Sequence, residues 1–143
     1  MASSQEHRLL VSHMKQWIKA NEPYKDFFNR FDLLNDISPC PLHTVNEKGV
    51  DSIPDYEGYS DDGYYCALGE AKTDYFGQTI FDERAVKQLK AYMKFLKYYE
   101  KSLLLIAVPN EHIKPAKHEI NKISKQEEFQ GDVIYFNYDG FVG

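Results

Sequence analysis

Ile53-Pro54-Asp55-Tyr56-Glu57-Gly58-Tyr59-Ser60-Asp61-Asp62-Gly63-Tyr64-Tyr65-Cys66-Ala67-Leu68-Gly69-Glu70-Ala71-Lys72-Thr73 reads as two strands and the turn between them. Ser60-Asp61-Asp62-Gly63 is the turn, because Asp-Gly suits a tight hairpin. The second strand runs from Tyr64 to Lys72, and Asp55 stands at the start of the first. Alternate side chains of a strand share a face. Glu70 and Lys72 therefore point the same way as Leu68 and Cys66, while Gly69 and Ala71 face the opposite side. The second strand stays apolar until Glu70, where a carboxylate and an ammonium arrive together. Pairing of the two strands brings Asp55 beside Glu70.

Two carboxylates and the main-chain carbonyl of Ala71 make an oxygen site of the kind Mg²⁺ accepts, a hard cation that keeps waters and takes phosphates. Such a cation lowers the pKa of water and stabilises charge on a scissile phosphate. Lys72 is placed to orient the water or to offset charge growing on phosphate oxygens. Blander accounts exist for each part. Glu-x-Lys arises by chance in roughly one chain in two of this length, and on a strand face it is usually a solvated ion pair. Pro-Asp is a common turn dipeptide. The combination favours a site, since Asp and Glu-x-Lys flank one hairpin and a compatible helix follows at once. Asp61 and Asp62 compete with Asp55 for the metal, but their place in the turn accounts for them.

Outside the hairpin, Ser3 with Glu6 reads as a capping box opening a first helix. Leu9, Leu10, Met14, Trp17 and Ile18 continue it at helical spacing until Asn21 and Pro23 interrupt. Tyr24 to Leu34 is aromatic and fits a short helix or a helix running into a strand. Ser38-Pro39-Cys40-Pro41 forms a turn, and Glu47-Lys48-Gly49 another. Thr79 to Ser102 is the clearest helix, with Val86, Leu89, Met93 and Leu96 as its apolar stripe. Leu103 to Val108 is a continuous apolar run, as in a strand buried on both faces. A polar helix spans Pro115 to Lys125, and a last strand Asp132 to Tyr138. The order implies an α/β layered structure.

With 143 residues the chain is long enough for a single domain, 1–143, around one core. A hydrophobic share of 43% is ordinary for a globular protein. The net charge of -5 argues against a general nucleic-acid coat. An acidic metal site with a basic stripe elsewhere remains compatible with it. Cys40 and Cys66 supply neither a disulfide framework nor an iron–sulfur cluster. The longest apolar run is far short of a membrane span, and the N-terminus lacks a signal-peptide stretch, so no membrane partner and a cytoplasmic (intracellular) location are expected.

Ile53-Pro54-Asp55, Gly69-Glu70-Ala71-Lys72 and Gln88-Leu89-Lys90-Ala91-Tyr92 together resemble the PD-(D/E)XK nuclease superfamily. The Gln-x-x-x-Tyr after the lysine is similar to a motif of its RecB-like and lambda-exonuclease-like branches. The resemblance implies a restriction-endonuclease-like core: a three-layer αβα fold with a central mixed sheet, αβββαβ plus a terminal helix and strand. It also implies Mg²⁺ (or Mn²⁺) dependence and hydrolysis of DNA phosphodiesters, by an endo- or exonuclease. By position, Asp55 and Glu70 would be metal ligands and Lys72 the catalytic lysine. Gln88 and Tyr92 would line the site beside the substrate backbone. Many members place a Glu of the first helix at the metal, and Glu6 would be that ligand, although a capping role explains it without a metal. His7 and His13 have no partner at metal-ligand spacing and read as surface or packing histidines. The alternative is a catalytically silent module on the same fold, binding nucleic acid or a protein.

Lys87, Lys90, Lys94, Lys97 and Lys101 recur at spacings of three and four along the long helix. They form a basic stripe expected beside Gln88 and Tyr92, and suited to a DNA backbone entering the site. The same stripe also fits the solvated face of an amphipathic helix. A chain this small leaves room for a homodimer or a larger nucleic-acid-processing assembly.

Overall fold

The turn at 60–65 is built as its residues require. Gly63 adopts a φ of +74°, a region open to glycine at little cost. The Asp62 carboxylate accepts from the Ser60 hydroxyl at 2.6 Å and the Tyr64 N–H at 2.9 Å. The Ser60 hydroxyl oxygen in turn accepts from the Tyr65 N–H at 2.9 Å. Asp62 is thus consumed by the turn, as its position suggested. The computed structural model describes residues 4–22, 24–26, 28–29, 45–47, 50–52, 54–60, 62–73 and 82–143. Asp61, Ser3, Cys40 and the turn residues Lys48 and Gly49 lie outside them.

The turn joins β4 (Tyr56–Tyr59) to β5 (Tyr65–Ala71), which pair antiparallel with Tyr56 opposite Gly69. On its other edge β5 runs parallel to β6 (Lys101–Ala107), and β6 parallel to β7 (Asp132–Asn137). Short strands β1 (Phe28–Asn29) and β8 (Gly140–Phe141) close the edges antiparallel to β4 and β7. Among the described residues the mixed sheet has six strands in the order β1-β4-β5-β6-β7-β8. β2 (Val45–Glu47) and β3 (Val50–Ser52) form a separate hairpin.

Strand parity sorts the core into two halves. Cys66 and Leu68 of β5, with Leu104 and Ile106 of β6, pack on α2 (Glu83–Leu96) and α3 (Ile113–Glu127). Ala67, Ala71, Leu103, Leu105 and Ala107 pack instead on Leu10, Met14 and Ile18 of α1 (Gln5–Ala20). β6 is therefore buried on both faces, as its continuous apolar run foretold. Helices on both sides of a mixed sheet give an α/β architecture compatible with three αβα layers. Gly69 lets α1 approach closely: a Cβ there would stand 2.8 Å from the Met14 sulfur and 3.1 Å from Tyr56 Cβ.

Several boundaries differ from the sequence expectation. The first helix is capped by Ser4, whose hydroxyl oxygen accepts from the His7 N–H at 3.1 Å. Glu6 sits within the first turn, and the Ser3 expected to share a capping box with it lies outside the described residues. Asp82 caps α2 through the Ala85 N–H at 2.8 Å, and the helix ends at Leu96 rather than Ser102. The physical cause is visible in the main chain: Tyr98 and Tyr99 N–H groups bond back three residues, to Phe95 and Leu96, which tightens the last turn. Ser102 then donates to the Leu96 carbonyl at 2.6 Å. Lys101 and Ser102 belong to β6. Of the aromatic segment Tyr24 to Leu34, the described residues form a 3₁₀ turn, Tyr24–Asp26, and β1, and the rest lies outside them. The expected last strand is present as β7, ending at Asn137, and the short β8 after it pairs back onto it.

Candidate metal and phosphate site

The first antiparallel pair and the end of β5 place the hairpin carboxylates together. The Asp55 N–H donates to the Gly69 carbonyl at 2.9 Å. The Ala71 N–H donates back to Asp55 Oδ2 at 2.8 Å. Asp55 is thus fastened beside Glu70 by main chain on both sides. The Lys72 N–H crosses to the Ala107 carbonyl of β6 at 2.9 Å. A trans peptide sends its N–H and C=O in opposite directions, so the Ala71 carbonyl of the same unit points toward the β4 side, where Asp55 stands.

Glu70 leaves the apolar part of β5 as a buried carboxylate. Tyr92 of α2, itself fully buried, donates its hydroxyl to Glu70 Oε1 at 2.9 Å. Lys72 Nζ lies 3.5 Å from Glu70 Oε2 and donates to Gln88 Oε1 at 2.7 Å. Gln88 and Tyr92 sit one helical turn apart on the face of α2 turned to the sheet, so one fixes the ammonium and the other the carboxylate. Burial pushes the Glu70 carboxyl up to about 8, and the Asp55 charge pushes the same way. Lys72 and the Tyr92 hydroxyl oppose that rise. A buried carboxylate with a second one beside it is an electrostatic demand for a cation.

His7 completes the cluster. Its Nε2 lies 3.2 Å from Asp55 Oδ2. That hydrogen bond raises the imidazole above its ordinary pKa; burial opposes the rise, and Asp55, Glu70 and the Ala71 carbonyl add to it. The imidazole therefore faces the three oxygen groups expected to hold a cation. Glu6, the expected helix ligand, is exposed in the first turn of α1. The buried stripe of α1 is Leu10, Met14 and Ile18; its interval of four steps back to Glu6, whereas a step of three from Leu10 reaches His7, the residue that meets Asp55. Spacing alone allows either residue, so it did not single out His7. His13 packs elsewhere, its Nε2 2.8 Å from the Tyr138 carbonyl.

The lysine stripe does not adjoin Gln88 and Tyr92. Two residues, or roughly 200° of helix, separate Gln88 from Lys90 and Tyr92 from Lys94. Lys90 and Lys94 consequently lie on the far side of α2 from Gln88 and Tyr92, while Lys87 stands about 100° from Gln88. Lys87 pairs with Glu83 at 3.4 Å and Lys94 with Glu127 of α3 at 3.9 Å. Lys97 caps the helix and Lys101 opens β6.

Among the described residues, no group of three or more His, Cys, Asp or Glu side chains is arranged to hold a metal ion. The donor set at β5 is instead two carboxylates and one main-chain carbonyl, with an imidazole against one carboxylate. It fits a cation that fills its remaining positions with water and phosphate. No helix among the described residues is long and apolar enough to cross a membrane. No protein-family model, no curated protein and no solved structure matches this chain.

Proposed function

We propose that the protein is a metal-dependent DNA nuclease on a restriction-endonuclease-like core. The observation that carries this reading is the meeting of Asp55, Glu70 and Lys72 at the end of β5, with Tyr92 and Gln88 holding the last two. Asp55, Glu70 and the Ala71 carbonyl hold Mg²⁺ or Mn²⁺, and His7 stands as an additional donor at Asp55. When bound, the ion acidifies water and stabilises negative charge on the scissile phosphate.

The chain's own groups do the rest. Tyr92 keeps one Glu70 oxygen occupied, which leaves Oε2 as the oxygen facing Lys72. Gln88 removes the freedom of a long flexible ammonium by accepting its proton in a hydrogen bond. Lys72, about a quarter exposed, then offers its remaining protons to an attacking water or to phosphate oxygens as charge grows there. Asp55, pinned by the Ala71 N–H, keeps its carboxylate in place without metal.

Linear, circular and branched DNA incubated with Mn²⁺ test the proposal. Wild type is expected to cut, and Lys72→Ala to lose at least about a hundredfold in rate while melting as a folded protein. Equal cutting by both would refute the assignment. DNA binding without cleavage under any divalent metal would instead identify a silent module on the same architecture.

A further inference from the structure

The far-side position of Lys90 and Lys94 leaves the carboxylate pair in need of another phosphate track. We propose that the nucleic-acid strand reaches it along α1, with its phosphates on Arg8 and Lys15; this rests on the nuclease reading above. A groove of about 370 Å³ starts at Asp55 and His7 and continues over Arg8, Val11, Ser12 and Lys15. It opens directly onto the carboxylate that α1 already touches through His7. Arg8, Ser12, Lys15 and Lys19 recur at spacings of four, three and four, so they share one face of α1. Among the described residues that line the groove, Asp55 is the one acidic side chain, in a chain whose net charge is -5.

The dimensions suit a polynucleotide. Arg8 to Lys19 spans roughly 16 Å of helix axis, about five nucleotide steps at the rise of a stacked strand. The Ser12 hydroxyl donates to the Leu9 carbonyl at 2.7 Å, so its proton is spent and the two cations carry the phosphate binding. Val11 offers an apolar floor for sugar between them. Arg8 forks onto phosphate with fixed geometry, and Lys15 acts as a mobile point charge. The track ends at the pair expected to act on the phosphodiester.

Binding of a fluorescein-labelled 20-mer, single-stranded and duplex, by anisotropy tests this in the Lys72→Ala background with Mn²⁺, so that cleavage does not interfere. Arg8→Glu with Lys15→Glu is expected to weaken binding at least about tenfold and to lower the log–log salt slope by between about 1 and 2. Lys90→Glu with Lys94→Glu tests the rival track on α2, and Lys122→Glu with Lys125→Glu on α3 controls for net charge. Both are expected to stay within about twofold. The comparison of single strand with duplex shows which form the groove takes. A larger loss from the α2 pair, or equal losses from all three, overturns the α1 track. Arg8→Ala with Lys15→Ala, which spares the fold from charge reversal, must show a smaller loss in the same direction. If wild type cuts DNA in an Asp55-dependent way while the α1 variants bind normally, this proposal alone falls. If wild type neither binds nor cuts, the nuclease reading falls with it.

Discussion

Glu70→Gln should make the metal-free protein more stable, and the gain should grow with pH. The Glu70 carboxyl rises from 4.5 to about 8 in the fold. The sign follows from proton counting. Between those two values the folded chain holds a proton that the unfolded chain has released, so stability falls as pH rises. At pH 5 the penalty is about 1 kcal/mol, at pH 7 about 3, and at pH 8.5 about 5. Glutamine keeps the shape of the protonated carboxyl that prevails in the fold at pH 7 and still accepts from the Tyr92 hydroxyl, and the opposing effect of Lys72 is already contained in the Glu70 shift. The gain at pH 7 is about 3 kcal/mol, equivalent to roughly 6–12 °C in Tm for a chain near this size. Thermal melts in EDTA at pH 5, 7 and 8.5 read it directly. A Glu70→Gln melting point at or below wild type at pH 8.5, or a difference that ignores pH, refutes the reasoning. Excess Mn²⁺ should reverse the order, since only wild type gains binding free energy from the ion.

Three further outcomes follow from the same geometry. Tyr92→Phe removes the hydroxyl that favours ionised Glu70 and should weaken Mn²⁺ about five- to tenfold by calorimetry, about 1 kcal/mol or slightly more; unchanged affinity contradicts the assigned bond. Because Glu70 must lose its proton to hold an ion, wild-type Mn²⁺ affinity should climb between pH 6.5 and 8 and flatten above, by titration across that range. His7→Ala should depress Mn²⁺-supported activity more than Mg²⁺-supported activity, because an imidazole donor suits the transition ion better than the oxygen-seeking one. Equal losses with both metals would assign His7 to orienting Asp55.

Much of this site was legible because strand parity is rigid. Glu70, Lys72, Leu68 and Cys66 share a face, and the Asp62-Gly63 turn sets the register that brings Asp55 to Glu70. The four-residue step from Gln88 to Tyr92 likewise fixed one helix face. Where neighbours decide, the reading failed. Ser3 and Ser4 are equivalent as cap residues in sequence, and the choice of Ser4 moves the first turn by one residue, which hides His7. Lys97 and Lys101 continue the helical period of α2, but Ser102 and the tightened turn after Leu96 stop it. The lysine stripe was real in spacing, yet spacing alone does not say which face of α2 meets the sheet. Glu57, fully buried and accepting from the Tyr59 hydroxyl, carried no signal at all, since its partner lies two residues along the same strand face.

A Mn²⁺ titration of wild type, Asp55→Ala and Lys72→Ala by calorimetry bears most directly on the carboxylate pair. One site is expected in wild type, none in Asp55→Ala, and a retained site in Lys72→Ala, because the lysine acts on water and phosphate rather than on the ion. Equal binding by wild type and Asp55→Ala would contradict a cation held between Asp55 and Glu70.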